Sequence, residues 1–456
     1  MAGAREAVVV SQSTHVLPLE FNRRYPVIVR GDGVWVEDAS GKRYLDAMSG
    51  GSMAATLGHG RRDIVAVAKA QAAKLAYVHN ERLTNPLQEQ LAHELAGLAP
   101  AGFTRVRFVT GGAEAIEMAI QIARRYHVDR GESKRWHVIS PAQAYHGPTM
   151  ATLAFTGRPG LQRPFEPYMP VHPHIPPSTW RFDPSGEQAL QALDAVLESV
   201  GPETVSAYLC EPISAAALPA YSPPKHFWEG LAKRRERHGF LICFDEIVTG
   251  VGRTGNWFAA QSLPIVPDII ATAKGLGAGY AAIGAVLCGS HVYDAIANGS
   301  RKFTLGHTWD GAPLSCAVGL KVIDVLKKEG LVERVRERGP KLRDELADAL
   351  KGLPLVHEVR GRGFLLGVEY VDPRDGKSFL PPEQRTAGRV DDVAFEKGLI
   401  TYSTMPTRDG FAGDQTLFAP PFTSTDDELA EMVERFAASV RQVAKELEPK
   451  LEPRPV

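Results

Sequence analysis

From residue 105 onward the apolar positions fall into two alternating kinds of stretch. Residues 105–109, 136–140, 205–210, 240–244, 268–273 and 283–288 are short apolar-rich runs, suited to strands of a sheet buried on both faces. Between them the period lengthens. Over 114–126, Ile116, Ala119, Ile120 and Ala123 share one helical face, with Glu117, Gln121 and Arg124 opposite. Residues 186–199 and 225–238 also read as helices. The repeat of strand, loop and helix predicts an α/β domain with a parallel or mostly parallel sheet, where ligands sit beyond the carboxyl ends of the strands.

The flanking regions read differently. Residues 1–14 look like a mobile tail, and 30–46 alternate as two short strands around turns at Gly31-Asp32-Gly33 and at 38–41. Residues 48–60 are rich in Gly, Ala and Ser, as a loop lining something would be, and 63–77 and 86–96 are amphipathic. The Pro-rich 159–183 reads as a long surface connection. A helical pattern over 313–351 breaks at Gly330. Strands near 356–360 and 364–371 and helices at 385–397 and 426–447 follow, before a frayed, proline-broken end at 448–456. The expected organisation is an N-terminal segment, 1–60, contributing to a small domain; a large domain, 61–330; and a C-terminal small domain, 331–456.

Composition narrows the class. With 456 residues, 44% hydrophobic and 23% charged, the chain can bury a large core. A net charge of −1 provides no basic field for nucleic acid or an anionic membrane. Cys210, Cys243, Cys288 and Cys316 are widely spaced in apolar stretches and fit reduced core thiols. Val8-Val9-Val10 is far too short for a signal peptide or a spanning helix. These features predict a soluble, cytoplasmic protein.

The chemistry gathers at strand ends. In D-I-I-A-T-A-K-G-L-G-A-G, Lys274 follows an apolar run and precedes Gly275, Gly277 and Gly279. Taken alone it is either a surface lysine or a desolvated nucleophile. Thr110-Gly111-Gly112-Ala113 opens a helix, giving either a plain tight turn or backbone N–H groups aimed at an anion. Asp245 ends an apolar strand and would either hold a proton on a heteroaromatic nitrogen or cap a loop. Tyr145-His146-Gly147 and Glu211-Pro212 follow two further strands. The glycines after Lys274 do not complete a dinucleotide fingerprint, since Tyr280 stands in the last place. His172 and His174 have no acidic or cysteine partner nearby in sequence, so no metal is expected.

Taken together, F-D-E-I-V-T-G-V-G-R-T-G (244–255) and A-T-A-K-G-L-G-A-G (271–279) resemble the class III aminotransferases. So do T-G-G-A-E-A, Y-H-G, E-P-I, G-H-T-W-D-G (306–311) and A-P-P-F (419–422). The resemblance covers residues 17–447 and implies a fold-type-I enzyme. Its large domain would hold a mostly parallel, seven-stranded-type sheet flanked by helices. A smaller α+β domain would be built from the two chain ends. It further implies pyridoxal 5'-phosphate attached to Lys274, which then moves the substrate proton. Asp245 would pair with the ring nitrogen, Ile247 and Tyr145 would cover the ring faces, and Gly112 and Ala113 would bind the phosphate. His146 would be a neighbour and Glu211 an orienting group.

Thr308 would reach the phosphate in a neighbouring subunit, implying a homodimer or a dimer of dimers. Arg408 and Met53 fall where relatives contact substrate. The implied reaction takes an amino group from an amine or from an ω- or α-amino acid. A keto acid, pyruvate or 2-oxoglutarate, accepts it in a ping-pong cycle. A lyase, aminomutase, epimerase or decarboxylase would begin from the same lysine and is the alternative. A protein that binds the cofactor without turnover is disfavoured by the presence of both Lys274 and Asp245. The sequence departs from the usual pattern at Ala113, Ser214 and Trp309-Asp310, where many relatives have serine, glutamine and Tyr-Ser.

Overall fold

The computed structural model describes residues 15–21, 23–404 and 411–448. Its centre is a seven-stranded sheet. In chain order we label the strands β1 (Phe103–Val109), β2 (His137–Pro141), β3 (His174–Ile175), β4 (Val205–Cys210), β5 (Leu241–Asp245), β6 (Ile269–Thr272) and β7 (Gly284–Gly289). Across the sheet they lie in the order β1-β7-β6-β5-β4-β2-β3. β7 alone runs opposite to the other six strands. Strands β4, β5 and β6 are buried at every position, which is why their sequences show no polar alternation.

Helices cover the sheet. Gly112–Asp129 buries Ala115, Ile116, Ala119, Ile122 and Ala123 on its sheet side. Pro86–Leu98 starts with Pro86 at its first turn and an Asn85 side chain accepting the Gln88 N–H. The long C-terminal pattern divides into Pro313–Lys328 and Leu331–Leu350, because Gly330 adopts φ +60° and ends helical continuity.

Two smaller sheets flank this core. Ile28–Asp32, Trp35–Asp38 and Arg43–Asp46 form an antiparallel meander, to which Leu399–Ile400 adds in parallel. The other sheet orders Val356–Arg362, Leu365–Tyr370, Gln415–Phe418 and Tyr402–Thr404. Helix Asp426–Leu447 begins with a capping box between Thr425 and Glu428. No helix among the described residues is long and apolar enough to cross a membrane.

Two sequence expectations need correction. Residues 28–46 hold three strands, not two: the first is almost wholly exposed and so lacks an apolar face to read. Within the Pro-rich connection, His174–Ile175 joins the central sheet through Ser140 and Pro141, and two short helices precede it. A two-residue strand between prolines carries no periodicity. The tail at 1–14 and the chain end from 449 lie outside the described residues.

Candidate active site

Topology brings the candidate residues to one edge. Strands β1, β2, β4, β5 and β6 point the same way, so Thr110, the loop to Tyr145, Glu211, Asp245 and Lys274 all emerge from their carboxyl ends. Because β7 is antiparallel, it starts at that edge, and Ala281, Ala282 and Ile283 complete the wall. The result is a cleft of about 750 Å³. It is lined by Met53, Gly112, Ala113, Tyr145, His146, Glu211, Asp245, Ile247 and Lys274, nine of the eleven residues singled out above. A space of this size is ordinary for a cofactor site.

Asp245 is buried, and its two oxygens are separately engaged. Oδ2 lies 2.8 Å from His146 Nδ1 and Oδ1 accepts the Ile247 N–H at 3.1 Å. A carboxylate has lone pairs for more than two donors, so Asp245 retains capacity for an N–H from the cleft. His146 is itself buried, and its Nε2 has no hydrogen-bond partner among the described residues. Lys274 follows β6 in the left-handed region, at φ +33°, a conformation of the kind that gathers at functional sites. Burial lowers the pKa of its amine, against the opposing pull of Asp245 and Glu211.

Glu211 accepts from Tyr145 N at 3.4 Å, Ala215 N at 3.0 Å and Ser214 Oγ at 3.3 Å. Burial, reinforced by the Asp245 charge, pushes its pKa up. Ser214, where many relatives have glutamine, thus becomes a partner of Glu211.

The Thr110–Ala113 turn opens an 18-residue helix whose N-cap, Gly111, contributes no side-chain bond. The N–H groups of Gly112 and Ala113 therefore have no intrahelical acceptor, while Thr110 N–H donates to Glu114 Oε2 at 2.8 Å. Small residues are required here. A Cβ on Gly112 would lie 2.9 Å from Ile247 Cδ1, and one on Gly147 (φ +133°) would lie 2.8 Å from Ala113 Cβ.

One candidate does not line the cleft, and another falls outside the described residues. Thr308 is exposed and absent from the lining. The neighbouring His307 Nε2 lies 3.3 Å from Glu114 Oε1, and Asp310 is buried against Arg107 Nε at 2.7 Å and the Phe108 N–H at 3.0 Å. Arg408 lies outside the described residues. The cleft also contains Ser52, Arg158, Ala215, Val248 and Tyr402, which the sequence reading missed. Arg158 sits immediately before the Pro-rich connection, where an arginine looks like any solvated one.

His172 and His174 serve the sheet: His172 Nδ1 accepts the Val138 N–H at 3.2 Å and His174 Nδ1 lies 2.9 Å from Ser140 Oγ.

This strand-edge arrangement is that of the fold-type-I enzymes, and solved structures agree. The chain superposes with a TM-score of 0.86 on a thermostable (S)-enantioselective omega-transaminase from Thermomicrobium roseum, at 34% identity over 94% of this chain and 96% of that one. An amine transaminase from an uncultivated Pseudomonas species, solved with bound PLP, gives a TM-score of 0.87 at 28% identity, covering 95% and 99%. A probable aminotransferase of Mycobacterium tuberculosis is 35% identical over 95% of this chain and 94% of its own length. Residues 21–440 match the model of the family Aminotransferase class-III. The chain belongs to the class III aminotransferases, enzymes that transfer amino groups with pyridoxal phosphate.

Proposed function

We propose that the cleft holds pyridoxal 5'-phosphate on Lys274 and passes nitrogen from an amine or an α- or ω-amino acid to a keto acid such as pyruvate or 2-oxoglutarate. The observation that carries this reading is the pairing of Asp245 with a desolvated Lys274 on neighbouring strand ends, where Asp245 lies opposite Ala271 in register. The orphaned His146 Nε2, the spare capacity of Asp245 and the glycine cradle at Gly112 all fit a planar, phosphorylated, nitrogen-containing ring. Bound there, pyridoxal phosphate supplies an electron sink for the electrons left when the donor loses its proton.

The chain's residues do the rest. Lys274 binds the cofactor and, once displaced by the donor, carries the proton, a task favoured by the burial that lowers the pKa of its amine. Asp245 keeps a proton on the ring nitrogen, and the 2.8 Å contact with His146 fixes its orientation. Ile247 and Tyr145 cover the ring faces and exclude water. Gly112 and Ala113 N–H groups hold the phosphate, aided by the helix dipole. Glu211 fixes the Tyr145 loop through its backbone N–H. Met53 and Arg408 act on the substrate side. Thr308 serves the cofactor of a second subunit, so the working unit is at least a homodimer.

The test is a half-reaction. Given an amino donor and no acceptor, the holoenzyme should bleach by one equivalent and stop. Continued turnover would identify a lyase, aminomutase or epimerase instead. Lys274→Ala should abolish borohydride-trapped attachment of the cofactor, read by mass spectrometry; a trapped adduct in that variant would refute the lysine assignment.

A further inference from the structure

We propose that Arg158 recognises a substrate carboxylate, with the Tyr145 and Tyr402 hydroxyls beside it. The keto acid acceptor and any amino-acid donor would then be selected by that group. The inference rests on the amino-transfer reading above and names what that site reads on its substrate.

The cleft's anionic side chains already have partners within the chain. Asp245 is held by His146 and the Ile247 N–H, and Glu211 by two backbone N–H groups and Ser214. Arg158 lines the same cleft, yet its guanidinium has no ion pair or hydrogen bond among the described residues, and neither phenol hydroxyl has a hydrogen bond there. A guanidinium presents a planar fork of donors that matches a carboxylate bidentately. Three unpartnered polar groups around one space are a receptor for an anion that arrives with the substrate.

The position is rigid. His146 N–H donates to Thr156 Oγ1 at 3.0 Å, and Gln143 N–H donates to Gly157 O at 2.7 Å. Gly157 has no room for a side chain against Pro141 O. Arg158 N–H donates to Thr156 O at 2.9 Å, and Arg158 O accepts from Leu161 N at 2.9 Å. Arg158 therefore rides on the scaffold that positions Tyr145 and His146. The three side chains also act on one another: burial raises the Tyr145 phenol, Tyr402 adds to the rise and Arg158 opposes it. Tyr402 comes from a different sheet, that of Leu365–Tyr370 and Gln415–Phe418, so the receptor spans the joint between the two sheets. Every keto acid acceptor carries a carboxylate, whereas a simple amine donor carries none. A cleft serving both needs a cation that can bind the one and remain solvated with the other, and half-buried Arg158 meets that need.

The experiment compares holoenzyme variants R158Q, R158K and R408Q in single half-reactions read on the cofactor's absorbance. One donor is L-alanine and the other is 1-phenylethylamine, which lacks a carboxylate. Binding of propionate, an inert carboxylate, is measured by calorimetry on the same samples. R158Q should lower kcat/KM for alanine relative to the amine by about 10–100-fold and weaken propionate by a similar factor, with R158K partly restoring both. An equal loss for both donors, an unchanged ratio, or a carboxylate defect confined to R408Q would overturn the assignment. If the wild type gives no half-reaction with any donor, the amino-transfer reading itself fails, while propionate binding still reports on Arg158.

Discussion

At the scale of single residues, the F-D-E motif holds two carboxylates with different tasks. Asp245 faces the cleft, while Glu246 turns into the core. There it accepts from Ala259 N at 2.6 Å, Ala260 N at 2.9 Å and Thr249 Oγ1 at 2.9 Å. Burial pushes its pKa up from 4.5 to about 7. Between those values the folded chain holds a proton that the unfolded chain has released, so stability falls as pH rises through the window. Above it, the cost of burying the charge is fully present. Glu246→Gln should remove that dependence. The difference in urea stability between variant and wild type should shift in the variant's favour by about 1–3 kcal/mol from pH 5 to pH 8. An identical difference at both pH values would show that Glu246 does not titrate there. The sequence drew attention to Asp245 because it ends an apolar strand, but left open a ring-nitrogen partner or a loop cap until the family resemblance favoured the first. It was silent on Glu246, whose two backbone partners lie 13 and 14 residues further along.

At the scale of elements, the proposed phosphate turn depends on how closely helix Gly112–Asp129 approaches the β5 loop. Gly112 touches the Ile247 side chain, so Gly112→Ala must push Ile247 into the cleft or move the helix start. Overpacking of this kind costs about 1–3 kcal/mol. Cofactor retention should therefore weaken by roughly 5- to 150-fold, measured by equilibrium dialysis of the holoenzyme. Gly97→Ala is the control: its Cβ meets nothing within 4 Å in helix Pro86–Leu98. It should leave retention unchanged and raise stability by up to about 1 kcal/mol. Equal retention in both variants would remove Ile247 from the cradle.

The central strands and long helices were legible because full burial and amphipathic period leave strong patterns. Strand β4 and helices Lys225–His238 and Asp426–Leu447 begin and end where their patterns do. The short strands His174–Ile175, Leu399–Ile400 and Tyr402–Thr404 were not, because two or three residues carry no period and only pairing with other strands defines them. Arg158 and Tyr402 were missed for the same reason, since their shared cleft exists only after the two sheets meet.

At the scale of the whole molecule, Thr308 is the residue on which the proposed dimer turns. It is exposed and does not line its own cleft, yet the family resemblance places it on a cofactor phosphate. Large apolar side chains stand exposed in this part of the chain and in the segment that packs against it. Leu83, Leu305 and Trp309 are 59%, 49% and 51% exposed. Trp309 meets Tyr77 edge-on at 5.5 Å, and Gly306 approaches Glu81, so the segments around 77–83 and 305–309 form one continuous face. An exposed apolar patch is the kind of surface an interface covers, and the proposed two-fold dimer would bury it against its own copy. Mixed dimers test whether Thr308 then serves the neighbouring site. Lys274→Ala lacks the cofactor lysine, and Thr308→Asp sets a carboxylate against the phosphate, so each homodimer should be inactive. In a mixed dimer the Thr308→Asp chain keeps its own Lys274 and receives an intact Thr308 from its partner. If Thr308 crosses between subunits, random re-pairing of equal amounts should restore about a quarter of wild-type activity. If Thr308 serves its own chain, that same site carries the aspartate and the other lacks the lysine, so mixing restores nothing.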